Sequence, residues 1–194
     1  MSTFKILVDG IAKKSDKDWI AYPNTVLIED SGKKILVDPG MNEELLLKGM
    51  ERENLSINDI DLIFLTHHHI DHILNIRLFS KTDLCDGDEF NKDGKIIIHD
   101  GKIPGTNIQV IKTPGHATEH ASLVMDTDQG KVCIGGDLVW WAADKEQKIT
   151  REDLLNLEDP CAVDINQLKE SRKKILDQVD YIIPGHGKMF KVIK

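Results

Sequence analysis

The sequence predicts an α+β domain in which short strands and helices follow one another along the chain. Runs of β-branched and apolar residues recur throughout, and segments with helical periodicity and capping residues separate several of them. No repeat, low-complexity tract or linker interrupts the 194 residues. A chain of this length can bury one sizeable core. We therefore expect a single domain that covers residues 1–194.

The amino-terminal part predicts three strands and a helix. The strands are expected at Phe4–Val8, Thr25–Glu29 and Lys34–Val37. The polar segment Asp30–Lys33 is typical of the turn of a hairpin and joins the last two. Asn42 precedes two glutamates, which places a capping side chain and acidic groups at the positive end of the helix dipole. We expect this helix to end near Arg52.

The rest of the chain alternates in the same way. Leu62–Leu65 is apolar at every position and predicts a strand buried on both faces, and Asp71–Phe79 returns to helical spacing. Further strands are predicted at Lys95–Ile98, Ile108–Lys112, Ser122–Met125, Lys131–Ile134 and Tyr181–Ile183. Asp164, with Gln167 three residues later, predicts a helix that runs to about Val179. Its expected inner face consists of Ile165, Leu168, Ile175 and Val179.

The composition argues against several functional classes. The 25 Lys and Arg residues and the 33 Asp and Glu residues give a formal net charge of −8, which disfavours broad contact with a phosphate backbone. No apolar run approaches the roughly 20 residues that cross a bilayer, so we expect no membrane contact. The three cysteines have no metal-binding spacing, and the amino-terminal segment does not resemble a signal peptide. We therefore expect a cytoplasmic protein.

Histidine is the residue type that points to a function. The segment Thr66–His72 directly follows the buried strand. Residues i and i+2 of an extended chain point the same way, so His67 and His69 can face one point. The chain then enters a helix, where Asp71 and His72 can face a second point close by. This pattern suits a pair of divalent metal ions.

Three later segments offer further ligands. Each follows a predicted strand, and they end at His116, Asp137 and His186. Strand ends at one edge of a sheet can converge because the scaffold holds them rigidly. A Pro-Gly-His turn or a Gly-Gly-Asp loop alone is common, but four such segments together indicate a metal site. The candidate ligands are His67, His69, Asp71, His72, His116, Asp137 and His186, while His68, His99 and His120 are expected to lie outside the set.

The order of these residues, with Asp38 ahead of them, resembles the metallo-β-lactamase superfamily over nearly the whole chain. The resemblance implies an αββα sandwich, in which two mixed β-sheets face each other, helices flank them, and the metals lie at one edge. It implies one metal on His67, His69 and His116, and a second metal on Asp71, His72 and His186. Asp137 would bridge the two, and Asp38 would support the metal-binding loops without being a ligand.

The resemblance implies a dinuclear metallohydrolase with two divalent ions, zinc in the first place, with iron or manganese as alternatives. Two ions about 3.5–4 Å apart lower the pKa of a shared water from about 15.7 toward 7 and so supply a bridging hydroxide. Asp71 and Asp137 are the expected catalytic residues. The substrate would be a small ester, thioester, lactone or phosphodiester, RNA included. A mononuclear iron persulfide dioxygenase and a non-catalytic metal-binding module are the alternatives.

Segments around the candidate ligands narrow the resemblance. Asp71–Phe79, Thr113–His120, Gly136–Trp140 and Glu170–Leu176 are similar to the metallo-β-lactamase domain-containing protein 1 subgroup, a compact branch whose animal member is associated with RNA cleavage. His68 and Leu74 depart from its pattern, but they are not candidate ligands. The partner is therefore expected to be a small-molecule or nucleic-acid substrate, and a homodimer remains open.

Aromatic residues also lie near the candidate ligands in sequence. Trp140 and Trp141 follow Asp137, and Trp19 and Tyr22 are expected in a loop before the first hairpin. Such rings can stack on a base, line an acyl pocket or pack in the core. We expect at least one of Trp140 and Trp141 to line the pocket.

Overall fold

Fourteen strands and four α-helices make up the computed structural model, which describes residues 1–193. The amino-terminal half contains β1 (Thr3–Val8), β2 (Ile11–Lys14), β3 (Trp19–Tyr22), β4 (Thr25–Asp30), β5 (Lys33–Val37), α1 (Glu43–Arg52), β6 (Leu62–Phe64), α2 (Ile70–Ile73), β7 (Asp83–Cys85), β8 (Glu89–Lys92) and β9 (Lys95–Ile98). The carboxy-terminal half contains β10 (Gln109–Lys112), β11 (Ala121–Thr127), β12 (Gly130–Gly136), α3 (Arg151–Leu155), α4 (Ile165–Leu176), β13 (Tyr181–Pro184) and β14 (Phe190–Lys191).

The strands form two mixed sheets and one separate hairpin. The first sheet has the spatial order β1–β4–β5–β6–β7–β8–β9, and the second has the order β10–β11–β12–β13–β14. Strands β5, β6 and β7 pair in parallel, as do β12 and β13, and the other neighbours are antiparallel. The hairpin consists of β2 and β3.

Three apolar clusters show how the layers pack. The cluster between the sheets contains Ile28 and Val37 of the first sheet and Leu123 and Ile134 of the second. On the outer side of the first sheet, Leu46 and Met50 of α1 join Leu27 and Leu36. On the outer side of the second sheet, Leu168 and Ile175 of α4 join Cys133 and Ile182. The four layers are therefore helix, sheet, sheet and helix, which confirms the predicted αββα sandwich.

The helix starts agree with the capping residues in the sequence. Asn42 Oδ1 accepts a hydrogen bond from the Leu45 backbone N–H at 3.1 Å. Asp164 Oδ1 accepts from the backbone N–H groups of Asn166 and Gln167, both at 3.0 Å. The prediction that Ile165 lies on the inner face of α4 is wrong, since this residue is 44% exposed. Ile165 is the first residue of the helix, and side chains there point back toward the helix amino terminus.

Two other local predictions differ from the structure. Trp19–Tyr22 is strand β3 and not a loop, because it pairs antiparallel with Ile11–Lys14. Ile11–Lys14 is partly exposed and ends in two lysines, so its sequence lacks the apolar pattern that predicts a strand. The predicted helix Asp71–Phe79 becomes α2 followed by a 3-10 segment, Leu74–Leu78. The Asn75 backbone N–H donates to Gly40 O at 2.9 Å, which draws it away from α-helical pairing.

The cysteines and the helix lengths can be compared with the expectations from the sequence. Cys85, Cys133 and Cys161 are free thiols, and the first two are buried. Within residues 1–193 the structure contains no helix that is both long and apolar enough to cross a membrane. The expected cytoplasmic location and single-domain organisation stay predictions.

The contact between α1 and β1 requires a glycine, which makes it a test of the packing. A Cβ atom at Gly49 would lie under 3.0 Å from Leu7 O. Gly49→Ala should therefore lower the free energy of unfolding by about 1–3 kcal/mol, although alanine is the better helix former. Urea denaturation followed by circular dichroism measures this. Lys48→Ala, at an exposed position of the same helix, should change it by less than about 0.5 kcal/mol. If both variants unfolded at the same urea concentration, the close contact between Gly49 and Leu7 would be contradicted.

Candidate metal centre

The seven candidate ligands follow the ends of four strands, as the sequence predicts. The segment Thr66–His72 comes directly after β6, His116 follows β10, Asp137 follows β12, and His186 follows β13. The structure brings all seven side chains together. They form two groups, and the first consists of His67, His69, His116 and Asp137. The second consists of Asp71, His72 and His186, and in each group the ligand atoms lie within 4.8 Å of one another.

The Asp137 carboxylate lies between the two groups. Its Oδ2 is 3.3 Å from His116 Nε2 and 3.9 Å from His67 Nε2. Its Oδ1 is 3.5 Å from His72 Nε2 and 3.6 Å from His186 Nε2. One oxygen therefore faces each group, which is the placement that a bridging ligand requires. The bridging role itself stays a prediction.

The donor atoms fit divalent metal ions. Ligands about 2.0–2.1 Å from a tetrahedral ion lie roughly 3.3–3.4 Å apart. The distances from Asp137 to the four imidazoles, 3.3–3.9 Å, equal this value or exceed it by up to about half an ångström. His67 Nε2, His72 Nε2 and Asp137 Oδ1 are buried without a hydrogen-bond partner among residues 1–193. Buried polar atoms without partners are costly, so their convergence needs an explanation. Divalent metal ions provide one, because each of these atoms is a metal-ligating atom.

Close backbone approach around Asp137 depends on two glycines. A Cβ atom at Gly185 would overlap Asp137 Oδ1. Gly136 has a φ of +53°, and a Cβ there would lie under 3.0 Å from Thr66 Oγ1. Gly185 therefore lets the turns that carry Asp137 and His186 pack side by side, and Gly136 lets the Asp137 turn pack against Thr66.

Asp38 orients His72 and the start of the histidine segment. Its Oδ2 lies 2.8 Å from His72 Nδ1 and accepts from Thr66 Oγ1 at 2.7 Å, and its Oδ1 accepts from the Thr66 backbone N–H at 2.8 Å. A carboxylate only accepts hydrogen bonds, so His72 Nδ1 carries the proton and Nε2 faces the other candidate ligands. These contacts are those of a support for the metal-binding loops.

Asp159 orients His116 as Asp38 orients His72, and the sequence did not predict this residue. Its buried Oδ2 lies 2.7 Å from His116 Nδ1. His116 therefore directs Nε2 toward Asp137, since metal-binding imidazoles commonly donate their other N–H to a carboxylate. Asp159 belongs to an irregular loop, 43 residues away from His116, and no motif marks it. Only the tertiary structure identifies it.

Backbone carbonyls orient His186. Its Nδ1 lies 3.1 Å from Ile11 O and 3.0 Å from Tyr22 O, one on each strand of the β2–β3 hairpin. Carbonyl oxygens accept, so Nδ1 donates and Nε2 is left for the site. The hairpin that the sequence did not predict therefore holds one of the candidate ligands.

The buried charges set the protonation of the site. Burial lowers the pKa of His67 well below its ordinary value. Burial also disfavours ionised Asp137, but the nearby imidazoles of His186 and His72 hold its pKa well below the ordinary value. For His72, Asp137 and Asp38 outweigh burial and raise the pKa well above its ordinary value. Binding of a metal to His72 Nε2 would therefore release a proton.

Arg172 of α4 ties together two of the loops that carry the site. It is completely buried, and burial lowers its pKa to about 10, which keeps it charged at neutral pH. Its Nε donates to Leu138 O at 2.8 Å and its Nη1 donates to Leu157 O at 2.6 Å. Leu138 follows Asp137, and Leu157 lies two residues before Asp159. The adjacent Ser171 Oγ donates to Pro114 O at 2.7 Å, in the turn that leads to His116.

The remaining histidines lie outside both groups, in agreement with expectation. His68 is half-exposed, with Nε2 3.3 Å from Asp86 Oδ2. His99 Nε2 lies 3.0 Å from Asp86 O, and His120 Nδ1 lies 2.9 Å from Thr113 Oγ1.

A cavity of about 480 Å³ opens onto both groups of candidate ligands. Its lining consists of His69, Asp71, His116, Asp137 and His186 together with Ala12, Trp19, Ala21, Met41, Ile70, Trp140, Pro160 and Cys161. The expectation that a tryptophan lines the pocket is confirmed for Trp140. Trp141 instead packs edge-on against Phe190, with ring centroids 5.7 Å apart.

Comparisons with known proteins agree with this geometry. A family model described as the metallo-beta-lactamase superfamily matches residues 20–85. Metallo-beta-lactamase domain-containing protein 1 of Rattus norvegicus is 32% identical over 88% of this chain and 68% of its own length. The Xenopus laevis protein of that name is 29% identical over 97% and 81% of the two chains.

Solved structures show the same fold. A protein described as a metallo-beta-lactamase from Thermotoga maritima has a TM-score of 0.73 at 20% identity, over 98% of this chain and 99% of its own. AidC, a dizinc quorum-quenching lactonase in complex with a product, has a TM-score of 0.66 at 19% identity, over 91% and 78% of the two chains.

The αββα fold and the two converging groups of imidazoles and carboxylates define a metallohydrolase. The chain belongs to the metallo-β-lactamase superfamily. Within it, the chain is similar to metallo-β-lactamase domain-containing protein 1 over most of its length, as the sequence predicts.

Asp159→Asn tests the support of His116. The substitution keeps the size of the side chain and removes the charge that stabilises the imidazole, so we expect zinc affinity to fall about tenfold or more. Competition with a chromogenic chelator measures the affinity. Glu158→Gln, an exposed neighbour, is the matched control and should bind zinc as the unmodified protein does. Unchanged affinity in Asp159→Asn would show that the contact does not support a metal ligand.

Arg172→Met tests the link between the loops. Methionine fills the space but leaves the Leu138 and Leu157 carbonyl oxygens without donors, at about 1–3 kcal/mol for each buried group. We expect a lower thermal midpoint without metal and weaker zinc binding. Lys173→Met, at an exposed position of the same helix, should change neither. Normal zinc affinity in Arg172→Met would limit its role to folding stability.

Proposed function

We propose that this protein is a dinuclear hydrolase of small, uncharged acyl compounds, namely carboxylic esters, lactones or thioesters. The cavity beside the candidate ligands carries this proposal. It contacts members of both groups, its other walls are mostly apolar, and no lysine or arginine occurs among its lining residues within the described part of the chain. Such a pocket suits a substrate whose polar part faces the metals and whose remainder is apolar.

The candidate ligands support two ions. His67, His69 and His116 with one oxygen of Asp137 would hold the first, and Asp71, His72 and His186 with the other oxygen would hold the second. Imidazole and carboxylate donors suit zinc, with iron or manganese as alternatives. When bound, the two ions supply a hydroxide near neutral pH and polarise the acyl carbonyl. Both groups are assembled to a similar degree, which favours this interpretation over a mononuclear iron dioxygenase.

Two aspartates hold negative charge beside the proposed reacting centre. Burial raises the pKa of Asp71, but a hydrogen bond with His186 and the charge of His72 lower it overall, so Asp71 stays ionised at neutral pH. It therefore accepts hydrogen bonds or binds metal rather than donating a proton. The buried Asp137 has the same electrostatic character. Asp71 and Asp137 are therefore the proposed catalytic residues.

The apolar walls would bind the acyl portion of the substrate. Trp19 and Trp140 both line the cavity and contact each other edge to face, with ring centroids 6.3 Å apart. Met41 and Ile70 lie in the same wall and are 40% and 59% exposed. Exposed apolar side chains that surround a polar centre are typical of a ligand site. A bound acyl chain would cover them and displace water.

A polynucleotide is less well matched to these surfaces. A neighbouring cavity of about 600 Å³ shares Trp19, Trp140 and Pro160 with the first and contains two lysines, but it also contains three acidic residues. The lysines are Lys145 and Lys148, and the acidic residues are Glu146, Asp153 and Glu158. Affinity for a phosphate backbone depends on clustered cations, which neither cavity offers. This observation favours the acyl substrate over RNA.

Metal content and turnover measured on the same preparation test the proposal. We expect two zinc ions per chain by mass spectrometry, hydrolysis of aryl esters, lactones or thioesters, and no cleavage of single-stranded RNA. Asp137→Ala should lose metal and turnover while its circular dichroism spectrum is retained, and Asp144→Ala, at an exposed position, should retain all three properties.

One iron with oxygen uptake on a persulfide would contradict the proposal. RNA cleavage without acyl hydrolysis would show that the substrate class is wrong, and full metal content without any turnover would favour a binding module.

A further inference from the structure

The outer edge of the first sheet carries three consecutive exposed isoleucines. Strand β9 is the terminal strand of this sheet. Ile96, Ile97 and Ile98 are 67%, 46% and 76% exposed, so apolar side chains face solvent on both sides of the strand. An open edge with these side chains is prone to pair with another strand, and proteins usually shield such edges with charges, proline or a covering segment. Among the residues of β9 only Lys95 is charged.

The turn before β9 determines which backbone groups point outward. Asp93 and Gly94 have φ values of +50° and +72°, and Lys92 lies opposite Lys95, which defines a two-residue hairpin turn. In such a turn the Lys95 N–H donates to Lys92 O. Hydrogen-bonding direction alternates along an antiparallel strand, so Ile97 bonds toward β8. Ile96 and Ile98 therefore direct their N–H and C=O groups away from the sheet.

We propose that β9 pairs antiparallel with β9 of a second copy of this chain, about a two-fold axis at Ile97. In this register Ile97 lies opposite Ile97 of the second copy, and Ile96 lies opposite Ile98 of the second copy. Ile96 and Ile98 are the residues with outward backbone groups, so they form hydrogen-bonded pairs on both sides of the axis. The two seven-stranded sheets become continuous.

The residues of β9 are compatible with pairing against β9 of a second copy of this chain. The register places the three isoleucines of each copy opposite isoleucines, and aliphatic pairs across strands stabilise a sheet. Lys95 lies opposite His99 of the second copy, so no lysine faces a lysine and no carboxylate faces a carboxylate. A contact built on so short a strand falls at the small end of protein interfaces. We therefore expect a reversible dimer that forms with increasing protein concentration.

Paired charge substitutions test both the dimer and its register. Ile96→Lys/Ile98→Lys places lysine opposite lysine across the interface, and sedimentation velocity should show a monomer at concentrations where the unmodified full-length protein is dimeric. Ile96→Glu/Ile98→Lys introduces charges at the same two positions, but each glutamate then lies opposite a lysine of the second copy. This variant should dimerise, and added salt should weaken its dimer. Circular dichroism and zinc content, which depend on other residues, should match the unmodified protein in both variants.

Several outcomes would overturn the proposal. A monomer at the highest attainable concentration of unmodified protein excludes the dimer. A dimer that both variants retain places the interface elsewhere on the molecule. If both variants are monomeric, the edge of β9 is used in another register or by a strand of a different protein. None of these results bears on the proposed acyl hydrolase, because the substitutions lie outside its cavity.

Discussion

The burial of one carboxylate among imidazoles is the constraint on which the site depends. Asp137 is almost completely buried, and its two oxygens face different groups of histidines. A carboxylate removed from water is costly unless positive charge surrounds it. Without metal, the imidazoles of His186 and His72 meet part of this need. Two divalent ions would compensate the negative charge of Asp137 more fully than the imidazoles do. We therefore interpret the buried donor atoms as a candidate metal centre and not as an ordinary polar core.

The rest of the αββα fold holds these groups in place. Helix α4 lies on the outside of the second sheet, yet its buried Arg172 reaches the loops around Asp137 and Asp159. Carboxylates behind the ligands orient two of the imidazoles, with Asp38 at His72 and Asp159 at His116. Support of this kind matters because small displacements of a ligand weaken metal binding and catalysis. The site is therefore assembled from both sheets and from the loops between them.

The β2–β3 hairpin contacts both the candidate metal centre and the cavity beside it. Its backbone carbonyls orient His186, and its Trp19 contacts Trp140 in the lining of the cavity. One element thus helps to position a candidate ligand and to line the apolar wall. A displacement of this hairpin would therefore alter both the orientation of His186 and the wall of the cavity. The open edge at β9 belongs to the first sheet, of which this hairpin is not a part.

The sequence by itself determined an α+β domain, most strands and the seven candidate ligands, because apolar periodicity, the run from His67 to His72 and the later strand-end segments are local patterns. The αββα arrangement was implied by the resemblance to the metallo-β-lactamase superfamily. It did not reveal Asp159 or the buried role of Arg172, whose partners lie far away along the chain. It also missed β3, because an exposed hairpin lacks the apolar alternation that marks a buried strand. Only the tertiary structure decided which oxygen of Asp137 faces which group and that the cavity wall is apolar. Both depend on contacts between segments that sequence spacing does not record.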